Sequence, residues 1–298
     1  MASVICSPTA PETPITPAET YTISPEPAPI KLRIATGGAG QSGLIGALAK
    51  GFIAHEVATT KCEPFTVAWL LSDTSASFNF LGSRSADLSI TYHKIAEGIA
   101  IKQGIADRRE YAWRDHWLLV GPKSNPASLP TEDASDVTIY EHFAQLFQAA
   151  IETSSGPNPV RFLSRYDKSA ANIKESNLWS AIGQTPWSYP YSNWYHRYVD
   201  FPFAALKAAA QLGEYTITDK GTWLAIDGWI RDSMEIFKAG ADEEDDPLLN
   251  PAHILVGTRG ANREMAHKFA DWMIRRDGGQ KIVEEFEHNG VRLYSTAP

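Results

Sequence analysis

The sequence predicts an α/β fold that is divided into two lobes. Short apolar runs typical of buried strands alternate along the chain with segments whose apolar residues recur at helical spacing. The chain has 298 residues and 43% apolar content, and this length exceeds the size at which one hydrophobic core usually stops growing. We therefore expect one lobe from residues 30–122 and 250–298, and a second lobe from residues 123–249.

Residues 31–52 contain the first strand and helix of this pattern. An apolar run at residues 32–35 is followed by a Thr-Gly-Gly-Ala-Gly loop at residues 36–40, and apolar side chains resume at helical spacing from residue 44. Glycines let the backbone approach a bound molecule closely, and free N–H groups at a helix start attract negative charge. The loop is therefore a candidate binding site, although a tight strand-to-helix connection explains the same glycines.

The other elements follow the same alternation. Strands are expected at residues 65–71, 86–93, 117–120 and 160–163, and helices at residues 95–104, 137–150, 172–179 and 263–275, with a further helix capped by Asp200, holding Pro202 in its first turn and ending before Gly213. The order of elements in the first lobe favours a mainly parallel sheet. Ligands collect beyond the carboxyl ends of parallel strands, and the loops at residues 36–42, 73–77 and 164–169 occupy such places. If the lobes face each other, all three loops converge on the cleft between them.

The acidic balance of the chain argues against nucleic acid or an anionic membrane surface as a partner. The formal net charge is −8, the pI is near 5.5, and neither Lys nor Arg forms a long run. Much of the acid lies in the DEEDD run at residues 242–246, which we interpret as a solvated loop. A metal site there is the weaker alternative, because the run lacks the alternating ligands and the glycine of a calcium loop. We expect no metal and no cofactor.

Residues 1–29 are rich in Pro, Thr, Ser and Glu and are expected to form a flexible lead-in. They contain neither the basic start nor the apolar segment of a secretory signal, and no window reaches the roughly 20 apolar residues that span a bilayer. Cys6 and Cys62 are far apart in sequence, which disfavours a structural disulfide and suits a reducing compartment. These features predict a cytoplasmic protein without membrane insertion.

Several segments resemble the tungstate-binding protein family, the extracellular solute-binding proteins of tungstate ABC importers. They share their order and spacing with that family: residues 35–44, 83–93 (SRSADLSITYH), 115–122 (DHWLLVGP), 162–175 (FLSRYDKSAANIKE), 194–195, 215–225, 247–251 (PLLNP), 269–280 and 286–293. The resemblance covers nearly all of residues 31–294. It implies a two-lobed periplasmic-binding-protein-like (type II) fold whose lobes, joined by crossing strands, close on an anion in the ligand cleft.

The resemblance also implies which residues face the ligand. In the family, hydroxyl-rich loops hold the oxyanion, and they correspond here to residues 36–39, Thr74 with Ser75, and residues 164–171. This chain has Gly37, Gly38 and Ala39 where the family has hydroxyl side chains, and a desolvated carboxylate at Asp200 would repel an oxyanion. We therefore expect an altered ligand, a small anionic or carboxylate-bearing molecule. Without a secretion signal, an ABC transporter partner is not expected.

Ten residues are candidates for ligand binding: Thr36, Gly37, Gly38, Thr74, Ser75, His93, Arg165, Ser169, Trp194 and Tyr195. The planar fork of Arg165 matches a carboxylate or oxyanion, which makes it the favoured anion contact; the alternative is a salt bridge to Asp167 or Glu175 that only braces the loop. Ser169 either contacts the ligand or only caps a helix. The aromatic run at residues 187–203 serves either a ligand wall or the core of the second lobe.

Binding of a small anion or carboxylate is the main functional hypothesis. The alternative is an enzyme that reuses the cleft, with His93, His196 or Asp200 as acid or base; a scaffold with a vestigial cleft is a third possibility. The chain contains no nucleophile elbow, P-loop, HExxH motif or Cys/His metal spacing. Hydrolase, kinase and zinc chemistry therefore have no support in the sequence.

Overall fold

The structure is a computed structural model that describes residues 15–131 and 137–298. Its strands are β1 (Glu19–Tyr21), β2 (Ile30–Thr36), β3 (Thr66–Leu71), β4 (Leu88–Thr91), β5 (Ala106–Pro122), β6 (Phe162–Ser164), β7 (Tyr195–Arg197), β8 (Thr216–Asp219), β9 (Met234–Ala239), β10 (Leu249–Gly257), β11 (Glu287–His288), β12 (Val291–Arg292) and β13 (Ser295–Thr296). Its helices are α1 (Gly38–Gln41), α2 (Leu44–Thr60), α3 (Thr74–Gly82), α4 (Lys94–Lys102), α5 (Ile139–Thr153), α6 (Ala170–Ala181), α7 (Pro202–Leu212), α8 (Lys220–Ala225), α9 (Gly228–Arg231), α10 (Arg263–Met273) and α11 (Gly279–Glu285), with a 3₁₀ turn at Pro186–Ser188. No described helix has the length and apolar character needed to cross a membrane.

The first lobe is built on a mixed sheet with the strand order β1-β3-β2-β4-β10-β5-β13. Strand β2 runs parallel to β3 and β4, whereas β1, β10, β5 and β13 join the sheet in antiparallel pairs. The prediction of a mainly parallel sheet is therefore right only for its centre. The antiparallel pair of β5 and β10 forms because the chain passes into the second lobe along β5 and comes back to the first lobe along β10.

Strand β5 connects the two lobes. Its first half pairs with β10, and residues 117–122 pair with β8 and β9 of the second lobe. Trp113 packs in the first hydrophobic core, and Trp117 packs in the second. The second core therefore starts earlier in the chain than residue 123. The sequence predicted a strand only at residues 117–120, because the preceding stretch ADRREYAWRD is too charged to indicate a buried strand.

Part of the predicted flexible lead-in is folded. Strand β1 pairs with β3 at the edge of the sheet, with Glu19 opposite Trp69 and Tyr21 opposite Val67. Tyr21 is buried against α2, where a side chain at Gly46 would approach its ring to 2.9 Å. The prediction was wrong for this strand because one aromatic anchor on an open sheet edge outweighs a polar, proline-rich composition. Residues 1–14, including Cys6, lie outside the described residues.

The two ends of helix α7 lie close to the positions predicted from the sequence. Pro202 occupies its first turn and Gly213 ends it in the left-handed conformation, at φ 64°. The cap prediction was wrong by one residue: Phe201 is the N-cap, and the Asp200 carboxylate accepts the Phe201 N–H at 2.7 Å instead. Asp200 and Phe201 line a cavity between the two cores.

Candidate functional site

A cavity of about 290 Å³ lies between the lobes. Its walls come from all three predicted loops and from strands of both lobes: Gly37, Gly38 and Gln41 after β2; Ser72, Asp73, Thr74 and Ser77 around the start of α3; Arg165, Asp167, Ser169, Ala170 and Ala171 after β6; Ile90, Asp115, Trp117, Asp219 and Asn250 on strands, with Tyr92 just after β4; and Val199, Asp200, Phe201 and Pro202 at the start of α7. The predicted convergence of the loops on an interlobe cleft is therefore present in the fold.

Packing accounts for two of the glycines in the first loop. A Cβ on Gly37 would come within 2.8 Å of the Ser72 carbonyl oxygen, and one on Gly40 within 2.0 Å of the Trp69 indole. That indole donates a hydrogen bond to the Thr36 carbonyl at 2.8 Å, which fixes β2 against β3. Gly38 differs, because a Cβ there would meet nothing within 4 Å. The loop is thus both a tight connection and, at Gly38, an open part of the cavity wall.

The second loop presents hydroxyl groups to the cavity. Asp73 caps α3 by accepting the Ala76 N–H at 2.7 Å, and this places Thr74 in the wall. Ser77 also lines the cavity and is bonded to Ser72 at 2.8 Å between their hydroxyls. Ser75, one of the predicted ligand residues, instead faces solvent outside the cavity.

The third loop carries Arg165. Its Nη2 atom lies 2.5 Å from Asp167 Oδ2, and its Nε donates to the Asp200 carbonyl at 3.1 Å. Arg165 therefore forms the bracing salt bridge to Asp167 and also lies in the cavity wall. Ser169 combines the two alternatives as well. Its hydroxyl accepts the Asn172 N–H at 3.4 Å and so caps α6, and the residue also lines the cavity.

The buried side chain of Glu175 holds this loop in place through hydrogen bonds. Its carboxylate accepts hydrogen bonds from the Ser164 hydroxyl at 2.5 Å and the Tyr195 hydroxyl at 2.6 Å, and it is 1% exposed. Burial raises the pKa of Glu175 to about 8 despite these bonds. The loop therefore rests on a hydrogen-bonded carboxylic acid that is mostly uncharged at neutral pH.

Asp115 and Asp219 line the cavity but were missed by the sequence analysis. Asp115 accepts hydrogen bonds from the His116 N–H at 2.8 Å and from Asn250 Nδ2 at 3.1 Å. Asp219 caps α8 and accepts from both the N–H and the hydroxyl of Thr222 at 2.7 Å. Burial, together with the charge of Asp219, raises the pKa of Asp115 well above its usual value. The available signal was the strand-to-helix turn after residues 216–219, which has the same pattern as the loop after β3.

The charge of the cavity wall is predominantly acidic. Among the described residues, Arg165 is the one basic side chain in the wall, against five aspartates: Asp73, Asp115, Asp167, Asp200 and Asp219. Each of these carboxylates accepts at least one hydrogen bond from the protein. No group of three or more His, Cys, Asp or Glu side chains in the described parts of the chain is arranged to hold a metal ion.

Five other predicted site residues lie outside this cavity. Thr36 is buried behind the wall. His93 Nδ1 accepts the Ala96 N–H at 3.2 Å and so caps α4. Trp194 and Tyr195 belong to the second core, and His196 pairs with Glu214 at 2.7 Å in a separate surface depression.

The predicted aromatic wall is largely absent from the cavity. Of the aromatic residues at 187–203, Phe201 alone lines it. The three acid–base candidates are also not brought together: Asp200 lies at the cavity, and the two histidines lie elsewhere.

Known proteins share this fold and much of this sequence. The family described as "PBP superfamily domain" matches residues 19–277. A solved structure described as a "periplasmic putative metal binding protein" is 50% identical; the match covers 94% of this chain and 99% of that one, with a TM-score of 0.85.

Two curated proteins are more distant relatives. The "Putative ABC transporter anion-binding protein" of Haloferax volcanii is 26% identical over 227 residues, which cover 74% of this chain but only 60% of that protein. The "Tungstate-binding protein TupA" of Peptoclostridium acidaminophilum is 26% identical over 216 residues, which cover 70% of this chain and 68% of that protein. The family match extends over most of the chain and starts at the first residue of β1. With curated relatives among the tungstate-binding and anion-binding proteins, this chain belongs to the PBP superfamily.

Proposed function

We propose that this protein reversibly binds a small carboxylate-bearing molecule in the cavity between its lobes. Arg165 carries the proposal, because it brings a guanidinium group to the wall of a cavity that is built from both lobes. A guanidinium group binds a carboxylate through two parallel hydrogen bonds. Two curated relatives are described as anion-binding and tungstate-binding proteins, which supports an anionic ligand.

The internal bonds of Arg165 fit this role. Its side chain is 11% exposed and is held on one side by Asp167 and on another by the Asp200 carbonyl. A guanidinium group has five N–H donors, so these two contacts leave donors for a ligand. Holding the side chain in advance reduces the conformational entropy that binding would cost.

The wall disfavours a doubly charged inorganic oxyanion such as tungstate. One arginine faces five aspartates, and the first loop offers no side-chain hydroxyl at Gly37 or Gly38. Like charges at short range in a partly desolvated cavity repel a dianion. A ligand with one carboxylate and an organic body meets less repulsion and uses the apolar contacts of Ile90, Trp117 and Phe201.

Isothermal titration calorimetry of the purified chain tests the proposal. The probes are tungstate, molybdate, sulfate, phosphate and a panel of monocarboxylic and dicarboxylic acids. At least one carboxylate is expected to bind, and Arg165→Ala is expected to weaken it by at least about tenfold. Arg276→Ala, which changes an exposed arginine far along the chain, is the matched control and should leave affinity unchanged.

Two results would contradict the proposal. One is binding of tungstate or molybdate in preference to every carboxylate. The other is carboxylate binding that Arg165→Ala and Arg276→Ala affect equally, because such binding would not use the cavity.

The cytoplasmic location and the absence of a transporter partner remain predictions from the sequence. One similar structure is described as periplasmic, and one relative is described as an ABC transporter anion-binding protein. Fractionation of cells that express the full chain from its own gene distinguishes the two locations. Recovery with the cytoplasmic marker supports the prediction, and recovery outside the cytoplasm overturns it.

A further inference from the structure

Asp115 and Asp219 approach the cavity on neighbouring strands. Asp219 lies opposite Trp117 in the pairing of β8 with β5, and Asp115 lies two residues before Trp117. Residues two apart on a strand share a face, so the two carboxylates are diagonal neighbours on one side of the sheet. Asp115 is 4% exposed and Asp219 is 9% exposed, yet both line the cavity.

Aromatic side chains lie beside this pair. Trp117 and Tyr92 line the same cavity. Trp117 is 3% exposed, and its Nε1 has no hydrogen-bond partner among the described residues. A buried indole N–H ordinarily has an acceptor. This donor therefore needs an oxygen acceptor from a ligand, whereas the two carboxylates suit a positively charged group of the same ligand.

Other charges near the pair do not neutralise it fully. Lys220 follows Asp219 in the chain and is the positive group that acts on Asp115. Tyr92 and Tyr294 also face the pair, and burial raises the pKa of both hydroxyls well above the usual value, so they stay uncharged. Burial and the nearby Asp219 also raise the pKa of Asp115, as expected for two carboxyl groups that lie close together.

We propose that the ligand is a small zwitterion whose carboxylate pairs with Arg165 and whose ammonium group lies at Asp115 and Asp219, beside Trp117 and Tyr92. This inference rests on the proposed function and names its substrate class. A cation is favoured where carboxylates outnumber basic groups, and the face of an aromatic ring attracts an ammonium group. A carboxylate placed directly at Asp115 and Asp219 would instead be repelled.

Size-matched probes test the inference by calorimetry on the full chain. One series is alanine, propionate and ethylamine; the other is phenylalanine, 3-phenylpropionate and phenethylamine. In at least one series the zwitterion is expected to bind at least about tenfold more tightly than the acid that lacks the amine.

Isosteric variants localise the effect. Asp219→Asn and Asp115→Asn are each expected to weaken the zwitterion by at least about tenfold while the acid alone binds no more weakly than before. Asp232→Asn, at an exposed aspartate, is the control. Because Asn keeps an acceptor oxygen for the backbone bonds of either aspartate, both variants should fold, and their melting temperatures are checked first.

The outcomes separate the two proposals. If an acid binds through Arg165 and its amine-bearing analogue binds no better, the zwitterion inference is wrong and the proposed function stands. If Asp219→Asn weakens the acid and the zwitterion equally, the inference is also wrong. If neither an acid nor a zwitterion binds at about 10 mM, or if a divalent cation binds at Asp115 and Asp219 instead, both proposals fail.

Discussion

The Ser164 hydroxyl donates a hydrogen bond to Glu175 Oε1 at 2.5 Å. Tyr195 donates to the same oxygen at 2.6 Å, and the Tyr166 N–H donates to Ser164 Oγ at 3.2 Å. These bonds tie the loop that carries Arg165 to a single buried carboxyl group. The protonation state of Glu175 therefore acts on the stability of the cavity wall.

Stability should fall as pH rises toward alkaline values. The folded-state pKa of Glu175 is about 8, above the ordinary 4.5, so the folded protein binds a proton that the unfolded chain releases between these values. The stabilisation by protonated Glu175 is complete below its ordinary pKa of 4.5 and is lost as the pH rises through about 8. The melting temperature of the wild type should drop by at least about 3 °C more than that of Glu175→Gln between pH 6 and pH 9.

Glu235→Gln provides the control for this measurement, because Glu235 is exposed on β9. It should follow the wild-type pH profile. Parallel profiles of the wild type and Glu175→Gln would show that Glu175 is ionised in the folded protein and does not hold the loop as a protonated carboxyl group.

Trp194 should contribute to folding and not to ligand affinity. Its ring lies 5.4 Å from Trp179 and 5.7 Å from Phe147 between centroids, inside the second core. Trp194→Ala should lower the free energy of unfolding by about 3–5 kcal/mol, as expected for loss of a large buried aromatic side chain. Chemical denaturation measures this change.

Tyr191→Ala is the matched control, because Tyr191 belongs to the same aromatic run but is 82% exposed. It should change stability by less than about 0.5 kcal/mol. A folded Trp194→Ala protein that loses ligand affinity and keeps its stability would restore the sequence-based hypothesis that Trp194 contacts the ligand.

The sequence predicted the parts of the site that depend on local pattern. Strand-to-helix turns are visible as an apolar run followed by small polar residues, so the loops that contain Gly38, Thr74 and Arg165 were placed correctly in the cleft wall. Asp115 was missed because it lies within a long strand, where the sequence offers no turn to indicate an accessible carboxylate.

Side-chain direction was the other limit. Trp194 and Arg197 lie three residues apart, yet one is buried and the other is exposed. Aromatic composition alone does not say which side of a wall a ring occupies, because lobe cores and ligand cavities use the same residue types. The identity of residues near the cleft was therefore predictable, and their orientation was not.

Tyr21 should anchor the amino-terminal strand. It is 6% exposed and packs on α2 at Gly46. Tyr21→Ala should destabilise the protein by about 2 kcal/mol or more. The aromatic contacts are lost, and Gly46 has no side chain that could fill the space left by the ring.

Ile23→Ala tests whether this effect belongs to the anchor, since Ile23 is two residues away and 44% exposed. Its unfolding midpoint in urea should stay close to that of the wild type. Equal midpoints for Tyr21→Ala and the wild type would instead support the original prediction that this segment is a flexible lead-in.

Gly38 and Gly40 should respond in opposite ways to the same substitution. A Cβ on Gly40 would lie 2.0 Å from the Trp69 indole, which would have to move and give up its hydrogen bond to the Thr36 carbonyl. Gly40→Ala should therefore cost about 1–3 kcal/mol of stability. Gly38→Ala should leave the unfolding curve unchanged, because its Cβ would meet nothing within 4 Å, but the added methyl group would project into the cavity.

The two variants separate the structural and binding roles of the glycine loop when stability and carboxylate affinity are measured on both. Gly38→Ala should weaken binding of the ligand that the calorimetric panel identifies, since Gly38 lines the cavity and the methyl group would take up space there. If Gly38→Ala instead lowers stability and leaves affinity unchanged, Gly38 serves the same packing role as Gly40. The loop would then be a tight connection throughout, and the ligand would have to be held by the Arg165 loop and the strand ends alone.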